Sequence, residues 1–156
     1  MRHQHSQQLD RAGIARWIES PFGQAELTAL VLDGQALDSL PPELAQFGKL
    51  ETLSLYHNRL TELPPAATAL ETLRTLNLAA NQLTGLPDSI GRLKRLEMLD
   101  IGHNRLAALP ASLGQLDALR FLYLSNNRLA ELPAETARLG ALEYLNVTDN
   151  AFTSLP

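Results

Sequence analysis

Residues 96–110 read Leu96-Glu97-Met98-Leu99-Asp100-Ile101-Gly102-His103-Asn104-Arg105-Leu106-Ala107-Ala108-Leu109-Pro110, an instance of L-x-x-L-x-L-x-x-N-x-L-x-x-L-P with Ile in the third apolar place. The same pattern starts at Leu27, Leu50, Leu73, Leu119 and Leu142, so the chain repeats every 23 residues with no insertion or deletion between starts. Such a period overrides every local reading of secondary structure, because each unit must be explained by its neighbours. The second apolar column is Leu30, Leu53, Leu76, Leu99, Leu122, Leu145, and the third is Leu32, Leu55, Leu78, Ile101, Leu124, Val147. The repeats are 27–49, 50–72, 73–95, 96–118, 119–141 and an incomplete 142–156.

Within L-x-x-L-x-L the apolar residues alternate at period two, which is a strand with one buried face. No single repeat can bury that face alone, so the units must stack. An Asn column, Asn58, Asn81, Asn104, Asn127 and Asn150, stands where the chain turns away from the strand. A side-chain amide there can donate and accept toward the backbone of the adjacent coil, and leaving such groups unpaired costs roughly 1–3 kcal/mol per site. These Asn residues are therefore read as a structural ladder. The first repeat has Gln35 in that place, at the edge of the stack, where a looser fit is expected. Pro41, Pro64, Pro87, Pro110 and Pro133 open the outer segment of each repeat and suit the first position of a helical turn. Leu44, Ala67, Ile90 and Leu113, then Phe47, Leu70, Leu93, Leu116 and Leu139, close the core from outside. Thr136 interrupts the first of these columns, which predicts a packing defect or a hydroxyl bonded to backbone.

From Leu27 to Pro156 these motifs resemble the leucine-rich repeat family, in its 23-residue Leu-Pro form, similar to intracellular repeats of the Ras-suppressor kind and to bacterial proteins. The resemblance implies an α/β fold: a right-handed horseshoe solenoid with a parallel β-sheet on its concave face and short helices or 3-10 turns on the convex face. Residues 1–6 are expected to form a disordered tail. Residues 7–26 are expected to form an N-terminal capping helix and linker, with Leu9, Gly13 and Trp17 on one stripe. At the other end the last coil has no closing segment, so its strand edge is expected to be open to a partner, giving a monomer or a weak dimer.

Composition narrows the function. The 156 residues are 45% apolar and only 5% aromatic, so one aliphatic side chain builds the core of a single domain. A net charge of −4, without a run of Lys and Arg, speaks against nucleic acid and membrane as partners. The chain has no Cys, hence neither disulfides nor thiolate metal sites, and its first residues lack the apolar stretch of a secretion signal. A cytoplasmic protein is expected, with a secreted effector acting in a host cytoplasm as the alternative.

With the strands aligned, the outward positions form columns: Ala29, Thr52, Thr75, Met98, Phe121, Tyr144; then Val31, Ser54, Asn77, Asp100, Tyr123, Asn146; then Asp33, Tyr56, Ala79, Gly102, Ser125, Thr148. Met98, Phe121, Tyr123 and Tyr144 make one contiguous patch flanked by Asp100, His103 and Asn146, the candidate protein-binding site. Tyr56, His57 and Arg59 make a second, weaker contact point. Glu51, Arg74, Glu97, Arg120 and Glu143 alternate in sign just before the strands and are read as a structural charge ladder. Arg59, Arg105 and Arg128 form a sparse basic row. Asp100, His103 and Ser125 have the residue types of a hydrolytic triad, but nothing builds an oxyanion hole, so no enzyme, cofactor or metal is expected. The spacing of the terminal amine and His3 could suit Cu(II) or Ni(II), yet a chain terminus is ordinarily just a tail. The reading is a protein-protein interaction module with a scaffold, adaptor or signalling role. The alternative is the substrate-recognition part of a larger bacterial enzyme, a kinase or ubiquitin-ligase effector.

Overall fold

The computed structural model describes residues 26–154 together with Gly13 and Arg16, both helical. The expected tail over 1–6 and nearly all of the expected cap over 7–26, Trp17 included, lie outside the described residues. Six three-residue strands, β1 (Ala29–Val31), β2 (Thr52–Ser54), β3 (Thr75–Asn77), β4 (Met98–Asp100), β5 (Phe121–Tyr123) and β6 (Tyr144–Asn146), form one parallel sheet in sequence order. Register advances by one repeat at each step, so that Leu30, Leu53, Leu76, Leu99, Leu122 and Leu145 stand side by side. The solenoid follows directly: each coil hands its inward leucine and its backbone ladder to the next, and the sheet lines the concave side.

The strands are short because the chain leaves the sheet by a left-handed step. Gly34, His57, Ala80, His103, Asn126 and Asp149 have φ between 53° and 66°, one per coil, directly before the Asn column position. Gly, Asn and Asp tolerate that conformation; the others are held in it by neighbours. Each of their N–H groups down to Asn126 donates to a carbonyl of the next coil, from Gly34 to Tyr56 at 2.9 Å through Asn126 to Thr148 at 2.9 Å. In the first coil Ala36 is left-handed as well (φ 54°), beside the Gln35 that replaces Asn.

The Asn side chains then lock adjacent coils. Asn104 Nδ2 donates to Leu78 O at 3.0 Å in the preceding coil and to Ile101 O and Gly102 O in its own, while Oδ1 accepts Leu83 N–H at 2.9 Å. Asn58, Asn81, Asn127 and Asn150 repeat the arrangement. Gln35 does not: its Nε2 only reaches Asp33 O, two residues back.

On the outer side four 3-10 turns (Pro42–Gln46, Asp88–Arg92, Ala111–Gln115, Ala134–Arg138) and one α-helical turn (Pro65–Thr68) stack on one another. The repeat prolines sit one residue earlier than expected. Pro41, Pro64, Pro87, Pro110 and Pro133 are the cap residues, with ψ between 142° and 154°, and Pro42 and Pro65 hold the first helical position. The reason is their carbonyls: each accepts the first turn bond, as from Leu113 N–H to Pro110 O at 3.1 Å, and that requires extended ψ. Leu44, Ala67, Ile90 and Leu113 are fully buried beneath the turns. Thr136 breaks the column with its hydroxyl bonded to backbone, one of the two outcomes expected. Its hydroxyl donates to Pro133 O at 2.6 Å, and beside it lies a pocket of about 250 Å³, open to solvent and lined by Leu122, Leu132, Leu139, Leu142 and Leu145. Leu145 is 38% exposed, whereas the leucines of its column in coils one to five are at most 6% exposed.

Candidate protein-binding surface

The strand register places Met98, Phe121 and Tyr144 in one line across β4, β5 and β6, and Asp100, Tyr123 and Asn146 in the next. Neighbours in such a line are about 4.8 Å apart, close enough for large side chains to touch. The rings of Tyr123 and Tyr144 are 5.3 Å apart and tilted by 41°, a favoured aromatic arrangement. The patch is less open than its sequence suggested. Tyr144 is 47% exposed, but Met98, Phe121 and Tyr123 are half-buried, because bulky side chains on adjacent strands shield one another.

The strand-entry edge beside the patch is electrostatically closed. Arg120 lies over the Phe121 ring, 5.2 Å from its centre, and binds Glu143 through Nε at 2.7 Å and through its second terminal nitrogen at 3.1 Å. That hydrogen bonding, ahead of simple attraction, holds the Glu143 carboxyl below the ordinary glutamate range, and it raises Arg120. The charge ladder is therefore made of clusters instead of a continuous chain. Arg74 contacts Glu97 at 2.6 Å and Glu51 at 3.8 Å, Arg120 contacts Glu143, and no ion pair joins Glu97 to Arg120 among the described residues.

Two of the flanking polar residues serve the fold. Asp100 Oδ1 accepts Gly102 N–H at 3.0 Å, and Asn146 Oδ1 accepts both Thr148 N–H at 3.0 Å and the Thr148 hydroxyl at 2.9 Å, as Asn77 does for Ala79 N–H. They cap strand ends, a use that the recurrence of Asn and Asp in that column signals. Their second oxygen or amide remains for a partner. His103 is exposed on the left-handed step, with its ring nitrogen 3.4 Å from Asn126 Nδ2. Asp100, His103 and Ser125 are not joined by hydrogen bonds into a triad among the described residues, since Asp100 is turned to the backbone and His103 to Asn126. The second contact point is separate. Tyr56 is 46% exposed with His57 packed against it at 5.9 Å, and Arg59 is exposed at the exit of β2, two strands away from the main patch. Val31, 59% exposed on β1, is an outward apolar side chain that the sequence reading did not single out, although its place in the second column marked it.

Among the described residues no group of three or more His, Asp or Glu side chains is arranged to hold a metal ion, and no helix is long and apolar enough to cross a membrane.

A family profile described as leucine-rich repeat region matches residues 67–150, and one described as leucine rich repeat matches residues 25–83. The chain belongs to the leucine-rich repeat family. Among solved structures, this leucine-rich repeat chain is similar to an LRR protein of Leptospira interrogans, with 32% identity over 91% of this chain and 41% of that one, TM-score 0.76. It is also similar to the ectodomain of the Arabidopsis thaliana receptor kinase GASSHO1/SCHENGEN3, solved with Casparian strip integrity factor 2 (36% identity, 72% of this chain, 14% of that one, TM-score 0.66). A third likeness is to a chain of the Arabidopsis BIR3–SERK2 complex, with 32% identity over 81% of this chain and 68% of that one, TM-score 0.64. The chain thus spans less than half the length of the first two. None of the curated proteins is similar enough to count as a relative.

Proposed function

We propose that this leucine-rich repeat chain is a protein-binding module that receives its partner on the concave sheet, centred on Met98, Phe121, Tyr123 and Tyr144. The observation that carries the reading is the in-register line of large side chains over β4–β6, with the Tyr123 and Tyr144 rings in contact at 5.3 Å and solvent above them. Rigid aromatics on a preformed sheet offer much contact area at small entropic cost, and clusters of this kind dominate binding energy at protein interfaces. Two of the similar solved structures are complexes, one with Casparian strip integrity factor 2 and one between BIR3 and SERK2, which supports protein as the partner class. The chain itself is proposed to be non-catalytic, a scaffold, adaptor or signalling part acting in the cytoplasm. Because it spans 41% of the Leptospira protein, a second reading is that it serves as the recognition part of a larger protein.

The test is a pull-down with the wild-type chain beside the Phe121→Ala/Tyr144→Ala double variant, read by mass spectrometry. A protein retained by the first and lost from the second identifies the partner and the surface. Identical retention would move the site away from the patch.

A further inference from the structure

The two long edges of the sheet differ in how their charges are paired. At strand entry Glu51, Arg74, Glu97, Arg120 and Glu143 alternate in sign with one acid in excess, and the Arg120–Glu143 and Arg74–Glu97 contacts neutralise the arginines locally. At strand exit coils two to five carry Arg59, Arg105, Arg128, His57 and His103 in the stretches Leu55–Thr61, Leu78–Gly85, Ile101–Leu109 and Leu124–Ala130, which hold no Asp or Glu, while Asp33 in coil one and Asp149 in coil six stand at the two ends of that edge and Glu62 and Glu131 follow just beyond it. Backbone bonds from Arg59 N–H to Leu37 O (2.8 Å), Arg105 N–H to Leu83 O (2.8 Å) and Arg128 N–H to Leu106 O (2.9 Å) hold this column in register from coil to coil. Arg105 and Arg128 are thus neighbours, about one coil spacing of 4.8 Å apart. Both are exposed, and neither has a carboxylate within ion-pair distance among the described residues.

A second asymmetry lies at the same edge. The N–H groups just beyond the strands are taken by side-chain oxygens at Tyr56 (from Asp33), Ala79 (Asn77), Gly102 (Asp100) and Thr148 (Asn146). In β1 and β5 the capping positions are Val31 and Tyr123, and neither Asp33 N–H nor Ser125 N–H has an acceptor among the described residues. The coil that carries the centre of the aromatic patch therefore also presents an unclaimed backbone donor, between the patch and Arg128.

We infer that the partner is an acidic polypeptide segment: a large apolar side chain seats on Phe121, Tyr123 and Tyr144 while neighbouring carboxylates lie over Arg105, Arg128, His103 and the Ser125 N–H. This rests on the concave reading above and names the chemistry of its occupant. Guanidinium groups fit carboxylates through paired N–H donors, and two exposed, unpaired arginines side by side repel basic segments at that edge.

The experiment is selection of random linear peptides displayed on phage against the full chain. The selected peptides are then titrated by fluorescence polarisation against wild type, Arg105→Glu/Arg128→Glu, Arg105→Gln/Arg128→Gln and Phe121→Ala/Tyr144→Ala, each checked by thermal melt. The expected result is a set of peptides richer in Asp and Glu than the starting library. Their affinity should fall about tenfold or more with the Glu pair, less with the Gln pair, and also with the aromatic pair. Absence of any selected peptide, peptides with no acid excess, or binding indifferent to both arginine pairs overturns the inference. If binding is lost in the aromatic pair but indifferent to the arginines, the concave reading stands and only the acidic occupant falls. Acidic peptides that need the arginines but ignore the aromatic pair remove the patch from the site and overturn both.

Discussion

Replacing Asn104 with Ala tests how the coils are held together, and its cost can be worked out bond by bond. The amide makes three donor contacts, to Leu78 O, Ile101 O and Gly102 O, and one acceptor contact, from Leu83 N–H. The carbonyls all keep another donor after the substitution: Leu78 O retains Asn81 Nδ2, Ile101 O retains Asn127 Nδ2, and Gly102 O retains Ala80 N–H. Leu83 N–H has no such reserve, and it lies in the core, where Leu83 is fully buried. One orphaned buried donor costs roughly 1–3 kcal/mol, and the lost bonds to carbonyls with a second partner add some tenths each, so the total is about 2–3 kcal/mol. At about 2–4 °C per kcal/mol for a chain of this size, the melting midpoint should drop by roughly 4–12 °C. Asn150→Ala, at a half-exposed position where water can take over, should lose less than half as much. Asn104→Asp keeps the acceptor for Leu83 but turns a carboxylate oxygen toward three carbonyls, so it should be worse than Ala at neutral pH and recover on acidification. The assay is thermal and urea unfolding of the variants by circular dichroism. A loss under about 0.5 kcal/mol for Asn104→Ala, or equal losses at positions 104 and 150, would refute the ladder as the coil lock.

Three further outcomes are expected. Ala80→Gly should stabilise the chain by roughly 0.5–1 kcal/mol in the same unfolding assay, because Ala at φ 55° carries a steric cost of about 1–2 kcal/mol that exceeds the entropic cost of Gly. Gly114→Ala should destabilise by about 1–3 kcal/mol, since a Cβ there would stand 2.8 Å from the carbonyl carbon of Glu135 in the next turn. In a carbon-13 NMR titration Glu143 should protonate at lower pH than ordinary glutamates and return toward them in Arg120→Ala, because the Arg120 hydrogen bonds lower it. A depressed carboxyl adds stability that is present above the unfolded glutamate value and lost as pH falls through the folded one, so the Arg120 contribution should vanish in acid.

Most of the architecture could be read from the letters because the 23-residue period never slips, and a period of two within L-x-x-L-x-L fixes which side chains face inward. The lateral alignment of Met98, Phe121 and Tyr144 followed from the period alone. What the pattern could not carry is how neighbours use the space. The shielding of Phe121 by Arg120 depends on a rotamer, and so does the turning of Asp100 to Gly102 N–H. The left-handed column was visible in part, as Gly34, Asn126 and Asp149, but Ala80 and the two histidines hide it. The period also says nothing of why Gly stands at positions 91 and 114, which are where adjacent turns touch. The prolines were read one position late because their ring suits a helix start, while the stacking geometry asks for their carbonyl as the first acceptor.

Hydrogen–deuterium exchange of the chain with and without its captured partner tests most directly whether a protein partner lies on the sheet side. Protection is expected over residues 98–105, 121–128 and 144–148, with the turns at Asp88–Arg92 and Ala111–Gln115 unchanged. Protection confined to those outer turns would contradict that placement.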